Sequence, residues 1–443
     1  MQRRDIIKGG MVLGLSGAAM SRAGTAASDS MKPMVQENTQ PDLVFSVSEY
    51  ERRYRGIRKA MESSGIEALV VVGTREWSGG DMSNVHYLGA PVHPAEHSFV
   101  VVPLEGKPIS PYAEFGFPTM PPMPPGMRPP WIRSPSAVDF DFRKIPVRDM
   151  SLNSPDYAKG TVEILQSLGL KKGRVGFVSM KNVPADVFAA VTEALPDLQI
   201  VDAQKILLDM RLYKSTEEVE FMKRSGFIAD RGIEAMMATA GPGVSDYEVF
   251  YAIDRACAEA GAPVGGFQLY GSGPWGGPPG STSNLILETG SARTIRNGDM
   301  LIPEVTSNYK GYFTQLTVPA SIGEPPPKFL KAYEMCSKVH EEIRRQFKPG
   351  MTVRELDAHA AAFTSDLTNG EFTTLFGVQA GEHEYSLWHI DYEMKPGAMV
   401  YNQPFFMPLK SKGGPFHIFG DAMVMTSEAP ILLHQSSMEL VVI

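Results

Sequence analysis

Cysteine is scarce in this sequence, and its scarcity narrows the kinds of site that the chain can build. The 443 residues include two cysteines, Cys257 and Cys336, and no pair has the CxxC spacing of a zinc site. Both lie in stretches with helical apolar spacing, "YAIDRACAEAG" and "AYEMCSKVHEEI". We therefore expect two buried thiols, because nothing in the sequence supports a disulfide between them.

Runs of positive charge are also missing. The chain has 42 Lys and Arg against 50 Asp and Glu, which gives a formal net charge of −8. An acidic chain without a basic cluster is a poor partner for nucleic acid or an anionic membrane. No apolar stretch after the N-terminal segment reaches the ~20 residues that a membrane-spanning helix needs. The sequence thus argues against nucleic-acid binding and membrane insertion. Its length predicts two or three globular domains.

The N-terminus has the pattern of an export signal. "QRRDIIKGGMVLGLSGAAMSRAGTAAS" combines Arg3 and Arg4 with a short, weakly apolar stretch and small residues near 25–27. Paired arginines in this position are typical of the twin-arginine route, which exports folded proteins. We expect residues 1–27 to be removed, leaving a net charge of −11, and the mature protein to reach the periplasm. The alternative is a disordered tail. Residues 28–45 are polar and predict a linker.

Residues 46–207 alternate between helical and strand patterns. "SEYERRYRGIRKAMESSGI" predicts an amphipathic helix, while "EALVVVG", "SFVVVP" and "GRVGFVS" predict strands. The sequence predicts an α/β domain here. A proline-rich insertion at 111–136 cannot be a regular element, because proline lacks the ladder donor. It is equally consistent with a lid or dimer arm and with a surface loop that packs on its own domain.

Residues 208–443 change to long helices followed by strands. Three predicted helices begin with a capping box, at Ser215 with Glu218, at Ser245 with Glu248, and at Thr352 with Glu355. Strand patterns follow in "GDMLIPEV", "GYFTQLTVPA", "AMVYNQPFF", "DAMVMTS" and "SMELVVI". Helices that back an antiparallel sheet make an α+β domain.

One strand pair has the shape of a metal site without the charge for it. In "LIPEVTSNYKGYFTQLT" (301–317), a strand, a turn at Asn308 and a second strand after Gly311 aim Glu304 and Gln315 into one pocket. Two aspartates there would hold a divalent ion, and a glutamine carries no charge to do so.

The order of several motifs resembles one known family. "MRLYKSTEEVEFMKRS", "FKPGMTVRELDAHA", "NGDMLIPEVTSNYKGYFTQLT" and "MKPGAMVYNQPFF" are similar to segments of the pita-bread fold of creatinase, aminopeptidase P, prolidase and methionine aminopeptidase. "DMSNVHYLGA" resembles a segment of the creatinase-type N-terminal domain. The resemblance covers about 46–443. It implies a C-terminal pita-bread catalytic domain, with helices backing a curved antiparallel sheet, after a smaller α/β domain.

The resemblance also implies where two metal ions would bind, and this chain departs from that pattern. The family's five ligands, Asp, Asp, His, Glu and Glu, align with Glu304, Gln315, Val378, Gln403 and Gly420, with Asp421 one place away. Two dications need several carboxylates to offset their repulsion. The sequence therefore predicts no dinuclear metal and no cofactor. A mononuclear site rebuilt from Glu304, Asp421, His383 or His417 is the alternative.

By the resemblance to creatinase, we expect a metal-independent enzyme that cleaves a non-peptide bond in a small molecule, as a lyase or a C–N hydrolase. Losing the dications should raise the pKa of a buried Glu304 and make it a proton carrier. Aromatic residues near the site favour an aromatic substrate. The expected catalytic residues are Glu304, His383, His389 and His417, and the expected substrate-binding residues are Gln315, Gln403, Tyr385, Trp275, Trp388 and Asp421.

Two other functions remain open at this point. One is a binding protein without catalysis, and the other is an Xaa-Pro peptidase that uses metal. The resemblance further implies a homodimer, in which the N-terminal domain of one subunit lies near the active site of the other. His93, His97, Arg128 and Trp131 are the candidates for that contact.

Overall fold

Helices and strands alternate in the first half of the chain, and helices back two mainly antiparallel sheets in the second half. The structure is a computed structural model that describes residues 42–74, 82–91, 97–112, 137–149, 154–262, 268–274, 293–380, 391–408 and 420–443. The predicted α+β class is confirmed. The predicted signal segment, the linker up to residue 41 and residues 113–136 of the insertion lie outside the described residues.

The described helices agree with the periodic patterns in the sequence, and a 3₁₀ turn, Met180–Asn182, adds to them. None of these helices is both long enough and apolar enough to span a bilayer. Their bounds are α1 (Val47–Ser63), α2 (Met82–Tyr87), α3 (Tyr157–Ser167), α4 (Ala185–Ala194), α5 (Gln204–Leu212), α6 (Thr216–Thr239), α7 (Asp246–Glu259), α8 (Pro327–Gln346) and α9 (Val353–Leu367).

Three of the helices begin where the sequence places a capping box. The Ser215 hydroxyl accepts from the Glu218 backbone N–H at 3.2 Å, and the Glu218 carboxylate accepts from the Ser215 N–H at 2.9 Å. The same reciprocal pair begins α7 and α9. Each box satisfies two backbone donors that the first helical turn leaves without a partner.

The first half is built on a six-stranded mixed sheet, with a two-stranded ribbon beside it in the chain. The sheet order is β4-β3-β2-β1-β7-β8, with β1 antiparallel to β2 and parallel to β7. The strands are β1 (Ala68–Thr74), β2 (His97–Pro103), β3 (Ile109–Tyr112), β4 (Asp141–Lys144), β5 (Val147–Asp149), β6 (Ser154–Pro155), β7 (Lys172–Val178) and β8 (Asp197–Asp202).

The second half contains a five-stranded and a four-stranded sheet rather than the single curved sheet that we expected. A bridge between Thr317 and Gly420 joins them. The strands are β9 (Gln268–Pro274), β10 (Asp299–Tyr309), β11 (Tyr312–Leu316), β12 (Ala320–Ser321), β13 (Phe372–Ala380), β14 (Met399–Pro408), β15 (Asp421–Val424), β16 (Ile431–Leu432) and β17 (Val441–Val442).

Two hydrophobic cores lie on opposite faces of β14 and β15. Tyr401 and Ala422 belong to the core that α6 and α7 share with β10. Val400 and Met423 belong to the core under α8 and α9. Successive side chains of a strand point to opposite faces, so this alternation tells which side each polar residue of these strands faces.

Residues 42–45, which the sequence places in a linker, pack against the second half. Phe45 is buried and stacks on Phe221 with ring centroids 3.8 Å apart. The described chain from Asp42 to Ile443 forms one compact unit, so the domain division at 207 and 208 stays a prediction. Cys257 and Cys336 are buried in α7 and α8, and neither forms a disulfide.

Candidate functional site

The β10–β11 hairpin brings the first two predicted site residues to one face. Its turn is closed by the Gly311 N–H, which donates to the Asn308 side chain at 2.8 Å, and Gly311 has φ 90°, which favours glycine. The register pairs Thr306 with Gln315, and the Gln315 amide donates to the Thr306 hydroxyl at 3.0 Å. Glu304 lies two residues before Thr306 and therefore shares this face.

Glu304 is partly exposed, not the fully buried carboxylate that the sequence led us to expect. The reason is its position in β10. The alternate residues Ile302, Glu304 and Asn308 have intermediate exposure, while Leu301 and Val305 face α6 and are buried. The face that carries Glu304 is thus the one that reaches solvent.

Gln403 and Gly420 form the other side of the site. Gln403 is fully buried in β14, and Gly420 lies beside it at the bridge to Thr317. The Thr317 N–H donates to the Gly420 carbonyl at 2.9 Å, and the Gly420 N–H donates back at 3.0 Å. Extending the hairpin register by one residue places Glu304 opposite Thr317. We call Glu304, Gln315, Thr317 and Gln403 the polar face.

Asp421 faces the other way, toward α8. Its carboxylate is bonded to His340 Nε2 at 2.9 Å and to the Arg344 guanidinium. Burial by itself would raise the pKa of Asp421, but His340 and Arg344 outweigh it and hold that pKa below its ordinary value. A carboxylate tied in this way is a structural anion. Its predicted substrate-binding role stays a prediction that this pairing does not favour.

The donors that the structure describes do not fit the metal pair that the family resemblance implies. The polar face offers one carboxylate, Glu304, beside two neutral amides, and Gly420 has no side chain. Amides do not supply the negative charge that two dications need. Among the described residues there is no group of three or more His, Cys, Asp or Glu that could hold a metal ion.

Six of the predicted site residues lie outside the described residues, and their roles stay predictions. They are Trp275, His383, Tyr385, Trp388, His389 and His417. The side chain of Val378 is also outside the description, although its backbone pairs with Asn402.

Sequence reasoning missed three polar residues near the site. Thr317 belongs to the polar face, and His340 holds Asp421 from α8. His434 is bonded through Nε2 to the Thr314 hydroxyl at 3.0 Å, and burial lowers the pKa of His434. No local motif marks any of the three. Only the strand register and helix packing bring them into place.

Comparisons with known proteins agree with this architecture. A model described as "Metallopeptidase family M24" matches residues 220–427. The YqhT protein of Bacillus subtilis (strain 168), named an uncharacterized peptidase, is 25% identical over 198 residues, which are 45% of this chain and 54% of that protein. The match therefore spans about half of YqhT. Creatinase of Bacillus sp. (strain B-0618) is 24% identical over 377 residues, covering 82% of this chain and 84% of creatinase.

A solved structure, the Xaa-Pro dipeptidase from Bacillus anthracis, superposes with a TM-score of 0.68 at 20% identity. The superposition covers 89% of this chain and 100% of that one, which supports the pita-bread fold with an N-terminal domain.

The function predicted from the sequence is wrong in its main version. We expected an enzyme that cleaves a non-peptide bond, but further relatives are named as dipeptidase PepE and Xaa-Pro dipeptidase. The resemblance to creatinase led to that expectation, and creatinase is one relative among many that are named as peptidases. Residues 220–427 of this chain belong to metallopeptidase family M24, the family of creatinase, prolidase and aminopeptidase P.

Proposed function

We propose that this chain acts on short peptides and that dipeptides ending in proline are the first substrates to test. The observation that carries the proposal is the recurrence of peptidases among the relatives, including dipeptidase PepE and Xaa-Pro dipeptidases. Those relatives are 24% and 25% identical to this chain, so the substrate class comes from them as a proposal and not as a finding.

The polar face has the chemistry that a dipeptide requires. Glu304 is a carboxylate on the partly exposed side, and a carboxylate pairs well with the α-ammonium group of a peptide. The amides of Gln315 and Gln403 each offer a donor and an acceptor, which match the C=O and N–H of a peptide group. A small peptide thus finds a partner for its charged end and for its backbone.

A second candidate function is peptide binding without hydrolysis. The observation that favours it is the donor set, because the described residues do not supply the carboxylates that a metal pair needs. Under this proposal the chain keeps the ligand class of its relatives and differs from them in what happens after binding.

One experiment separates the two candidates. The purified protein is titrated with Ala-Pro, Gly-Pro, Ala-Ala and N-acetyl-Ala-Pro by calorimetry, and release of free amino acid is followed chromatographically. Binding with release supports the peptidase. Binding without release supports the non-hydrolytic protein. If none of the peptides binds or is cleaved, both candidates are overturned. Weaker binding of the acetylated peptide is expected, because acetylation removes the charge that Glu304 would bind.

Export and assembly also remain proposals, supported by the sequence alone. Replacing Arg3 and Arg4 by lysine is expected to keep the chain in the cytoplasm. Light scattering after size exclusion is expected to give twice the mass of one chain. A monomer mass would overturn the homodimer.

A further inference from the structure

Gln403 and Gly420 compete for one volume, and the glutamine fills it. A Cβ added at Gly420 would lie 2.1 Å from Gln403 Cγ and 2.8 Å from the Asn402 carbonyl oxygen. Real Cβ atoms do not come so close to other heavy atoms, so position 420 cannot carry a side chain while Gln403 is in place. The two residues fit each other as a pair. The absence of a carboxylate at 420 is therefore built into the packing.

The buried amide of Gln403 has no hydrogen-bond partner among the described residues, at either its nitrogen or its oxygen. The Thr317 hydroxyl, at the bridge to Gly420, is also buried and without a partner there. Buried polar groups in proteins are nearly always paired, because an unsatisfied donor or acceptor is costly. Three polar atoms at one place therefore await partners.

The bridge geometry puts these atoms on the same side of the sheet. Cross-strand neighbours point their side chains to one face, so the Thr317 side chain and the space above Gly420 lie together. Gln403 occupies that space. An amide with a free donor and a free acceptor, next to a hydroxyl, is complementary to a peptide group.

We infer that Gln403 and Thr317 bind the peptide group of the ligand directly, at a place that holds no pair of divalent ions. The inference rests on the proposed function, which makes the ligand a short peptide. It goes further by naming the atoms that recognise the peptide group. It also explains why position 420 is a glycine.

The test uses Gln403→Met, which keeps the aliphatic stem over Gly420 and removes both polar atoms. Affinity for Ala-Pro is expected to fall at least tenfold, while the melting temperature stays the same or rises, since an unsatisfied buried amide has been removed. Gln166→Met, at an exposed position of α3, is the matched control and should change neither value. Thr317→Val should weaken binding in the same way.

The outcomes distinguish this inference from the proposed function. If the wild-type protein binds no peptide, the proposed function fails. If the wild type binds and Gln403→Met binds equally well, the inference alone fails. A melting temperature that falls in Gln403→Met with unchanged affinity would make Gln403 a structural residue and overturn the inference.

A metal measurement completes the test. Elemental analysis of the full chain after incubation with manganese, zinc or cobalt is expected to find no bound ion, and peptide affinity should be unchanged by a chelator. Two ions per chain, with affinity lost on chelation, would overturn the inference.

Discussion

At the scale of single residues, the packing of Gly420 against Gln403 gives the sharpest prediction. Gly420→Ala places a methyl group 2.1 Å from Gln403 Cγ, so the strands must separate or the glutamine must move. We expect a loss of about 1–3 kcal/mol in the free energy of unfolding, as for other overpacked cores. Urea denaturation measures it. Gly420→Ala combined with Gln403→Ala should recover most of the loss, because the second change empties the contested volume.

Gly241→Ala is the control for this experiment. A Cβ there meets no atom within 4 Å, and its stability should stay within about 0.5 kcal/mol of the wild type. Equal losses in the single and double variants at 420 would mean that Gln403 is not what excludes the side chain.

The buried anion Asp421 predicts a pH dependence. Asp421→Asn leaves His340 and Arg344 without their charged partner, and we expect a loss of about 2–4 kcal/mol at pH 7. The folded-state pKa lies below the ordinary value of 3.8, so the stabilisation is present above that value and is lost as the pH falls through the lowered pKa. The difference between the wild type and the variant should therefore shrink below about pH 4. Urea titrations at several pH values measure it.

Asp197→Asn, at an exposed position, serves as the control and should show no such loss. A difference for Asp421→Asn that stays constant down to pH 3 would show that the charge of Asp421 does not stabilise the fold.

The sequence predicts residue positions well where they follow strand order and poorly where they depend on packing. Glu304, Gln315 and Gln403 were found from their motifs, and the structure places all three around the Thr317–Gly420 bridge. Asp421 was considered as a ligand one place from Gly420. A shift of one residue in a strand reverses the side-chain direction, and Asp421 consequently faces α8.

At the scale of elements, the capping boxes carry a prediction of their own. Thr352→Ala removes the hydroxyl that accepts from the Glu355 N–H at 3.2 Å. We expect a loss of about 1 kcal/mol, because the first turn of α9 then has an unsatisfied donor. Hydrogen exchange at Glu355 should become faster while the end of α9 is unaffected. Mass spectrometry of the fragment around 350–358 measures this.

Thr192→Ala is the matched control within a helix. Its hydroxyl bonds back to the Phe188 carbonyl and caps nothing, so stability should be unchanged or slightly higher. Unaltered exchange at Glu355 in Thr352→Ala would contradict the role of the box.

Elements with local signals were predictable, and their assembly was not. The helices with capping boxes and the strands at 68–74, 97–103 and 172–178 agree with their patterns. The division of the second half into two sheets was not foreseen. It depends on pairings such as β12 with β17, which join residues more than a hundred positions apart and leave no local trace in composition.

At the scale of the whole molecule, a buried arginine connects the two halves. Arg53 of α1 donates to the Glu49 carboxylate at 2.7 Å, to the Tyr87 carbonyl at 2.8 Å and to the Tyr312 hydroxyl at 3.0 Å. Tyr312 in β11 donates to Glu218 of α6 at 2.9 Å. The network thus runs from the first half of the chain into the hairpin that carries the polar face.

Aromatic packing reinforces this connection. The Arg53 guanidinium lies 4.0 Å from the ring centre of Phe45, and Phe45 belongs to the core of the second half. A guanidinium over an aromatic ring is favourable, more so when both are buried. The charge and the stacking act together, so removing Arg53 weakens the connection at two points.

Arg53→Ala therefore tests whether the halves unfold together. The change leaves Glu49 and Glu218 without a buried positive partner, and we expect a loss of about 3–5 kcal/mol. The first half has its own hydrophobic clusters, distinct from those of the second half. Scanning calorimetry should therefore give one transition for the wild type and two for the variant. Arg55→Ala, exposed on the same helix, should keep a single transition. A single transition in Arg53→Ala, merely moved to lower temperature, would show that the cores themselves hold the halves together.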